Sequence, residues 1–171
     1  MALTAGLTLA CADRSGGLKN LWLANADDVS DFTLVGDDYT VATMVGVTVF
    51  YKFEFEQDTA ELRENVVREN GSTQATHEVE IFIPKLNSTN RAAIEEIINT
   101  SSCGMVGIAE TADGTKFVVG FSENFGTDRP LKLLSDTTTS GKALTDLTGA
   151  TVVLQSIDNQ KSRVFTGTVP V

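Results

Sequence analysis

Histidine and cysteine are scarce here: His77 is the single histidine, and Cys11 and Cys103 are the two cysteines, in 171 residues. A metal site of the thiolate and imidazole kind therefore lacks its ligands. The cysteines stand far apart in the chain, and each is expected as a buried free thiol behaving as a small hydrophobe, with a disulfide between them as the alternative. His77, next to Glu78 on a candidate strand, reads as a surface or rim histidine, because no serine or cysteine motif accompanies it as a nucleophile. Basic residues are also in short supply, with 13 Lys and Arg against 23 Asp and Glu and a net charge of -10. Gripping nucleic-acid phosphates requires clustered Lys and Arg, so touching DNA without holding it is all this charge allows.

No stretch approaches the roughly 20 apolar residues that span a bilayer, and no membrane partner is expected. The opening MALTAGLTLAC superficially resembles a lipoprotein signal ending at Cys11. However, no Lys or Arg precedes Arg14, and Thr4, Gly6 and Thr8 interrupt the apolar run, so export is not expected. Phosphate-cradling glycine motifs are missing as well, since no helix pattern follows Gly16-Gly17. The adjacent acids Asp27-Asp28, Asp37-Asp38 and Glu95-Glu96 diverge on a strand or helix and make no acid and base dyad. Enzyme chemistry and a cofactor are not expected. Asn70, Asn87 and Asn99 each open a glycosylation triplet, a pattern that often arises by chance.

What the sequence does have is alternation. Val49, Tyr51, Phe53 and Phe55 alternate with Lys52, Glu54 and Glu56, and Val79, Ile81 and Ile83 alternate with Glu78 and Glu80, the period of a half-buried sheet. One face is apolar and the other acidic. Asn70-Gly71 joins the two segments with a hairpin turn signal. Paired through that turn, Glu69 faces Ser72, Arg63 faces Glu78 and Glu61 faces Glu80, which sends Leu62 and Ala60 to the core. The inward parity thus switches from odd to even, so the first strand must bulge, bend or break near Gln57-Asp58-Thr59. Beyond that point the hairpin is expected to form an arm leaving the main sheet, with a short helix as the alternative.

Elsewhere, Gly36-Asp37-Asp38 separates DFTLV from YTVATMV, and Ala112-Asp113-Gly114-Thr115 joins MVGIAE to KFVVGF through a two-residue turn signal. ATVVLQSI and SRVFTGTVPV flank Asp158-Asn159-Gln160 as a further expected hairpin. One helix is expected over residues 88–99, with Ser88 as N-cap and Ala93, Ile94, Ile97 and Ile98 on one face. SENFGTDRPLKLLSDTTTSGKALTDLTG reads as a long surface excursion. The chain is expected to be one mainly β domain over residues 1–171, an antiparallel β-sandwich or barrel with one flanking α-helix and a long β-hairpin arm.

Residues 49–83 hold eight acids, Glu54, Glu56, Asp58, Glu61, Glu64, Glu69, Glu78 and Glu80, against the bases Lys52, Arg63 and Arg68. Half of the net charge falls in about a fifth of the length. A solvated sheet face would account for it, yet a closed ring with a negative lumen gives it a use.

The order of elements, and in particular THEVEIFIPKLNSTNRAAIEEII and GKALTDLTGATVVLQSIDNQ, resembles the major tail tube proteins of long-tailed double-stranded DNA bacteriophages over nearly the whole chain. With the opening CADRSGGLKNLWLANADDVSDFT, these segments are similar to tail proteins of phages infecting Bacteroidetes-type hosts. Related folds occur in contractile-tail tubes, type VI secretion tubes and head-to-tail connectors. The resemblance implies a virion protein, assembled in the host cytoplasm, that forms stacked hexameric rings by joining its sheets into one barrel. It implies as partners further copies of itself, other tail or neck proteins, and DNA sliding past without specific binding. Glu54, Glu56, Glu78 and Glu80 are then the candidate lumen lining. Glu61, Arg63, Arg68, Asn70 and Gly71 on the arm, and the loop from Ser122 to Gly141, are candidates for contacts between subunits or rings. A head-to-tail connector and a secreted β-sandwich binding module are the alternatives.

Overall fold

Alternating and β-branched segments cut by glycine turns give strands over most of the chain, and the computed structural model describes residues 15–171. Cys11 and the lipoprotein-like opening lie outside the described residues. In chain order the strands are β1 (Leu18–Asn25), β2 (Val29–Val35), β3 (Asp38–Met44), β4 (Tyr51–Phe53), β5 (Glu61–Glu69), β6 (Ser72–Pro84), β7 (Met105–Thr111), β8 (Lys116–Val119), β9 (Lys132–Thr139), β10 (Gly149–Asp158) and β11 (Val164–Phe165). The helix α1 spans Ser88–Thr100.

Two open sheets result, which makes a sandwich and not a closed barrel. The large sheet has seven strands in the order β2-β3-β11-β8-β7-β1-β4, and the small sheet has four in the order β5-β6-β10-β9. All pairs are antiparallel except β11 with β3.

Between the sheets lies an aliphatic core in which Leu21 and Leu23 of β1, Val79 and Ile81 of β6, and Val152 and Leu154 of β10 meet Ile94 and Ile97 of α1. Each such side chain contributes roughly 1.5–3 kcal/mol on burial. A second, aromatic core gathers Phe32, Tyr39, Phe50, Phe121 and Phe165 on Val106 and Ile108. Val106 and Ile108 alternate along β7 with Met105 and Ala109 of the first core, so the large sheet is covered on both faces. Its hairpin β2–β3 curls back to supply part of that cover.

Several expectations need correction. The helix N-cap is Asn87, whose side chain accepts from the Asn90 N–H at 2.8 Å, and not Ser88. Cys103 is a free thiol but exposed, because it falls in the turn after α1 and not on a core face. The excursion after Ser122 contains β9, whose run of exposed threonines shows no alternation because an edge strand can be polar on both faces. Gly120 makes β9 possible: its φ is +80°, and a Cβ there would sit 2.6 Å from the Met105 carbonyl, on the spot where Met105 and Leu131 exchange backbone bonds.

β10 and β11 do not form a hairpin. They lie in different sheets, since Phe165 is drawn into the aromatic core and residues 159–163 cross between layers. The β7–β8 loop closes on three residues instead of two, with Thr111 and Thr115 bonded across it and Gly114 at φ +85°.

The break is where parity put it: residues 54–60 carry no strand, Asp58 has φ +61°, and the β5–β6 register pairs Glu69 with Ser72 and Arg63 with Glu78. Asn70 and Gly71 both have positive φ, as a tight hairpin turn demands. The arm does not leave the sheet, however. β10 runs beside β6 until Asp158 meets Ala75, so only the tip around residues 67–74 projects beyond it. Tyr51 points to solvent and its neighbour Phe50 is buried, because the Phe50 N–H bonds the Pro170 carbonyl at 2.8 Å before β4 begins.

Candidate functional site

The outer face of the small sheet is set by the same parity that builds its core. On β6, Ala75, Val79, Ile81 and Ile83 point inward, so Glu78 and Glu80 point out. β5 adds Glu61 and Arg63 to that face, and β10 adds Thr151, Val153 and Gln155. The Arg63 guanidinium lies 3.0 Å from Glu61, 3.4 Å from Glu78 and 3.9 Å from Glu80. Its hydrogen bond to Glu61, then the charges of the three carboxylates, raise its pKa further, so it stays protonated throughout. Gln155 donates to the other Glu78 oxygen at 2.9 Å. Three carboxylates around Arg63, with Lys132 of β9 opposite Gln155 as a second cation, leave the face slightly negative, although each exposed pair is worth little in stability.

Glu54 and Glu56 are placed differently. They follow β4 in the crossover between layers, exposed beside half-buried Phe53 and Phe55, and only the Glu56 N–H returns to the small sheet, bonding the Phe82 carbonyl at 3.0 Å. The expected quartet is thus a pair on β6 and a pair on the crossover. Arg68, Asn70 and Gly71 stand exposed at the hairpin tip.

Both edges of the small sheet, β5 and β9, are unpaired within the described residues. Three successive antiparallel pairings make these two edges run in opposite directions. Identical copies set side by side therefore offer β9 antiparallel to the next copy's β5.

A buried polar cluster sits on the inner side of the same sheet. His77 is a core residue, not a rim one, because it shares the parity of Val79 and Ile81 and is only 3% exposed. Its Nε2 lies 3.1 Å from the Gln160 carbonyl and 3.5 Å from Glu64 Oε1, and its Nδ1 lies 3.4 Å from the Ser156 hydroxyl. Glu64 Oε1 also accepts from the Ser162 N–H at 2.8 Å and from the Ser162 hydroxyl. Serine, histidine and glutamate together have the composition of a hydrolytic triad, but Ser156 and His77 are both buried and neither lines a described cavity. The arrangement instead clamps residues 159–163 where they cross between layers. Sequence reading missed it, although Ser156 and Asp158 keep the inward phase of Val152 and Leu154.

Among the described residues, no group of three or more His, Cys, Asp or Glu is placed to hold a metal ion. No helix among them is long and apolar enough to cross a membrane. No protein-family model, curated protein or solved structure matches the chain.

Proposed function

We propose that this chain is the repeating subunit of a bacteriophage tail tube, a virion protein whose small sheets join edge to edge into a ring and whose rings stack around a DNA channel. The observation that carries the reading is the small sheet itself, with an even number of strands, two oppositely directed edges that are unpaired among the described residues, and an acidic outer face. Copies added head to tail satisfy both edges and close when the rotation per subunit divides a circle. Joined in this way, the sheets turn Glu78 and Glu80 toward the channel, with Glu61 and Arg63 beside them.

The wall then repels phosphate at short range. At physiological ionic strength the Debye length is about 8 Å, so the carboxylates act only on DNA that comes close to the wall. Preventing adhesion during passage needs nothing longer in range. DNA is thus a passing partner without specific binding, and other tail or neck proteins meet the ends of the stack.

Negative-stain electron microscopy of the concentrated protein tests the assembly, with rings and tubes as the expected result. Single rings that never stack would favour a head-to-tail connector, and a monomer at every concentration would favour a binding module. Replacing Glu78 and Glu80 with Lys is expected to leave subunits folded and tubes intact while genome delivery by virions falls. Unimpaired delivery would overturn the lining role.

A further inference from the structure

We propose that residues 140–148, the loop between β9 and β10, form the plug that seats one ring on the next, Leu144 and Leu147 docking on the hairpin-tip end of a second copy. This inference rests on the ring-and-tube reading above and adds the residues that stack it.

The loop presents two large apolar side chains to solvent, Leu144 fully exposed and Leu147 66% exposed. It is nevertheless held in one shape. Asp146 Oδ2 accepts from the backbone N–H of Lys142 and of Ala143, both at 2.8 Å, and the Asp146 N–H returns a bond to the Ala143 carbonyl at 3.1 Å. The Ala143 and Lys142 N–H groups hold the Asp146 carboxyl below the usual carboxylate range, so the clamp stays closed at neutral pH. Thr148 closes the base of the loop by donating to the Ser140 carbonyl at 3.1 Å, and its own carbonyl accepts from the Lys85 N–H at 2.9 Å. A pre-ordered loop with an exposed leucine loses little entropy on docking, the property of an interface anchor.

The occupant follows from where the loop stands. Gly149 pairs with Pro84 at the last residue of β6, whereas the Asn70-Gly71 turn stands at the first, Ser72. Strands rise about 3.3 Å per residue, so loop and tip lie at opposite ends of the small sheet, roughly 40 Å apart. In a stack of like-oriented rings the loop end of one ring meets the tip end of the next. The tip end carries its own exposed apolar residues, Val66, Val67 and Ile157. Charge agrees as well: Lys142 on the loop and Glu69 at the tip each lack an ion-pair partner among the described residues. Joining unlike ends also leaves the stack open to growth, as a tube requires.

The test uses the full chain, with ring and tube populations counted by negative stain and sedimentation. Leu144→Asp with Leu147→Asp is expected to keep the parent melting temperature and to form rings, while the concentration needed for tubes rises about tenfold or more. Lys142→Glu is expected to shorten tubes, and Glu69→Lys in the same chain to restore them. Unchanged tubes from the double aspartate variant would overturn the inference, as would loss of its rings, which would place the loop between neighbours within a ring. Parent rings that join only in pairs, loop end to loop end, would overturn it too. A parent that forms no rings defeats the tube reading itself, and this inference with it.

Discussion

The large sheet is covered on both faces, on one side by the aliphatic core and α1 and on the other by aromatic rings from its own curled-back hairpin. Among the described residues the small sheet covers one face and leaves most of the other, with both long edges, to solvent. The first layer is finished within one chain, and the second is not. A bare edge is a hazard that proteins usually blunt, and β5 carries Glu61, Arg63, Glu64, Arg68 and Glu69 against unselected pairing. β9 has only Lys132 and Asp136 among its eight residues as charges, and ends in three threonines. The contrast separates residues that hold the subunit together from residues that are free to serve assembly.

The largest effect that can break this contrast is in the aromatic core. Phe32 packs on Tyr39, Phe50, Phe121 and Phe165 with ring centroids 4.9–6.5 Å apart. Phe32→Ala is expected to cost about 3–5 kcal/mol in denaturant melts, while Glu80→Ala on the outer face changes stability by less than about 0.5 kcal/mol. Equal losses would erase the distinction between the layers.

Next comes the clamp that joins them. Glu64→Ala leaves the Ser162 N–H and the Ser162 hydroxyl short of an acceptor. A loss of about 2 kcal/mol is expected, with faster amide exchange at Ser162 than elsewhere in the two layers. Exchange that speeds up uniformly would show that Glu64 supports the fold at large and not the crossover.

The smallest effect concerns Tyr39, whose hydroxyl is buried without a hydrogen-bond partner among the described residues. Tyr39→Phe is expected to stabilise the protein by about 1 kcal/mol at neutral pH. Burial, partly opposed by the Arg163 charge, pushes the phenol from 10.0 up to about 12. The unfolded chain ionises first, so stability is fully present below pH 10 and falls as pH climbs toward 12. Melting curves of the phenylalanine variant should lack the part of the alkaline fall due to this phenol, on the order of 2 kcal/mol.

Much of the subunit was legible because period and parity are local. The β5–β6 register, the break near Asp58, the helix and the outward direction of Glu78 and Glu80 all follow from counting residues along one strand or turn. What failed depended on partners distant in sequence. The threonine end of β9 has no alternation because an edge strand can be polar on both faces, and β11 leaves β10 because Phe32 and Tyr39, more than a hundred residues earlier, offer Phe165 a better site. His77 was misjudged on residue type when its phase with Val79 already placed it inside. The turn register already set Arg63 opposite Glu78, and the folded sheet adds its contacts with Glu61 and Glu80.

The parallel contact of β11 with β3 also bears on how the chain reaches this state. Tyr39 pairs with Phe165, and the hydroxyl of Thr166, 127 positions further along than Tyr39, donates to the Tyr39 carbonyl at 3.4 Å. Closing so long a span is slow, in the millisecond-to-second range seen when distant pairings dominate. The local hairpin β2–β3 needs no such closure for its own pairing, but Phe32 and Tyr39 complete their ring cluster only when Phe165 arrives from far along the chain.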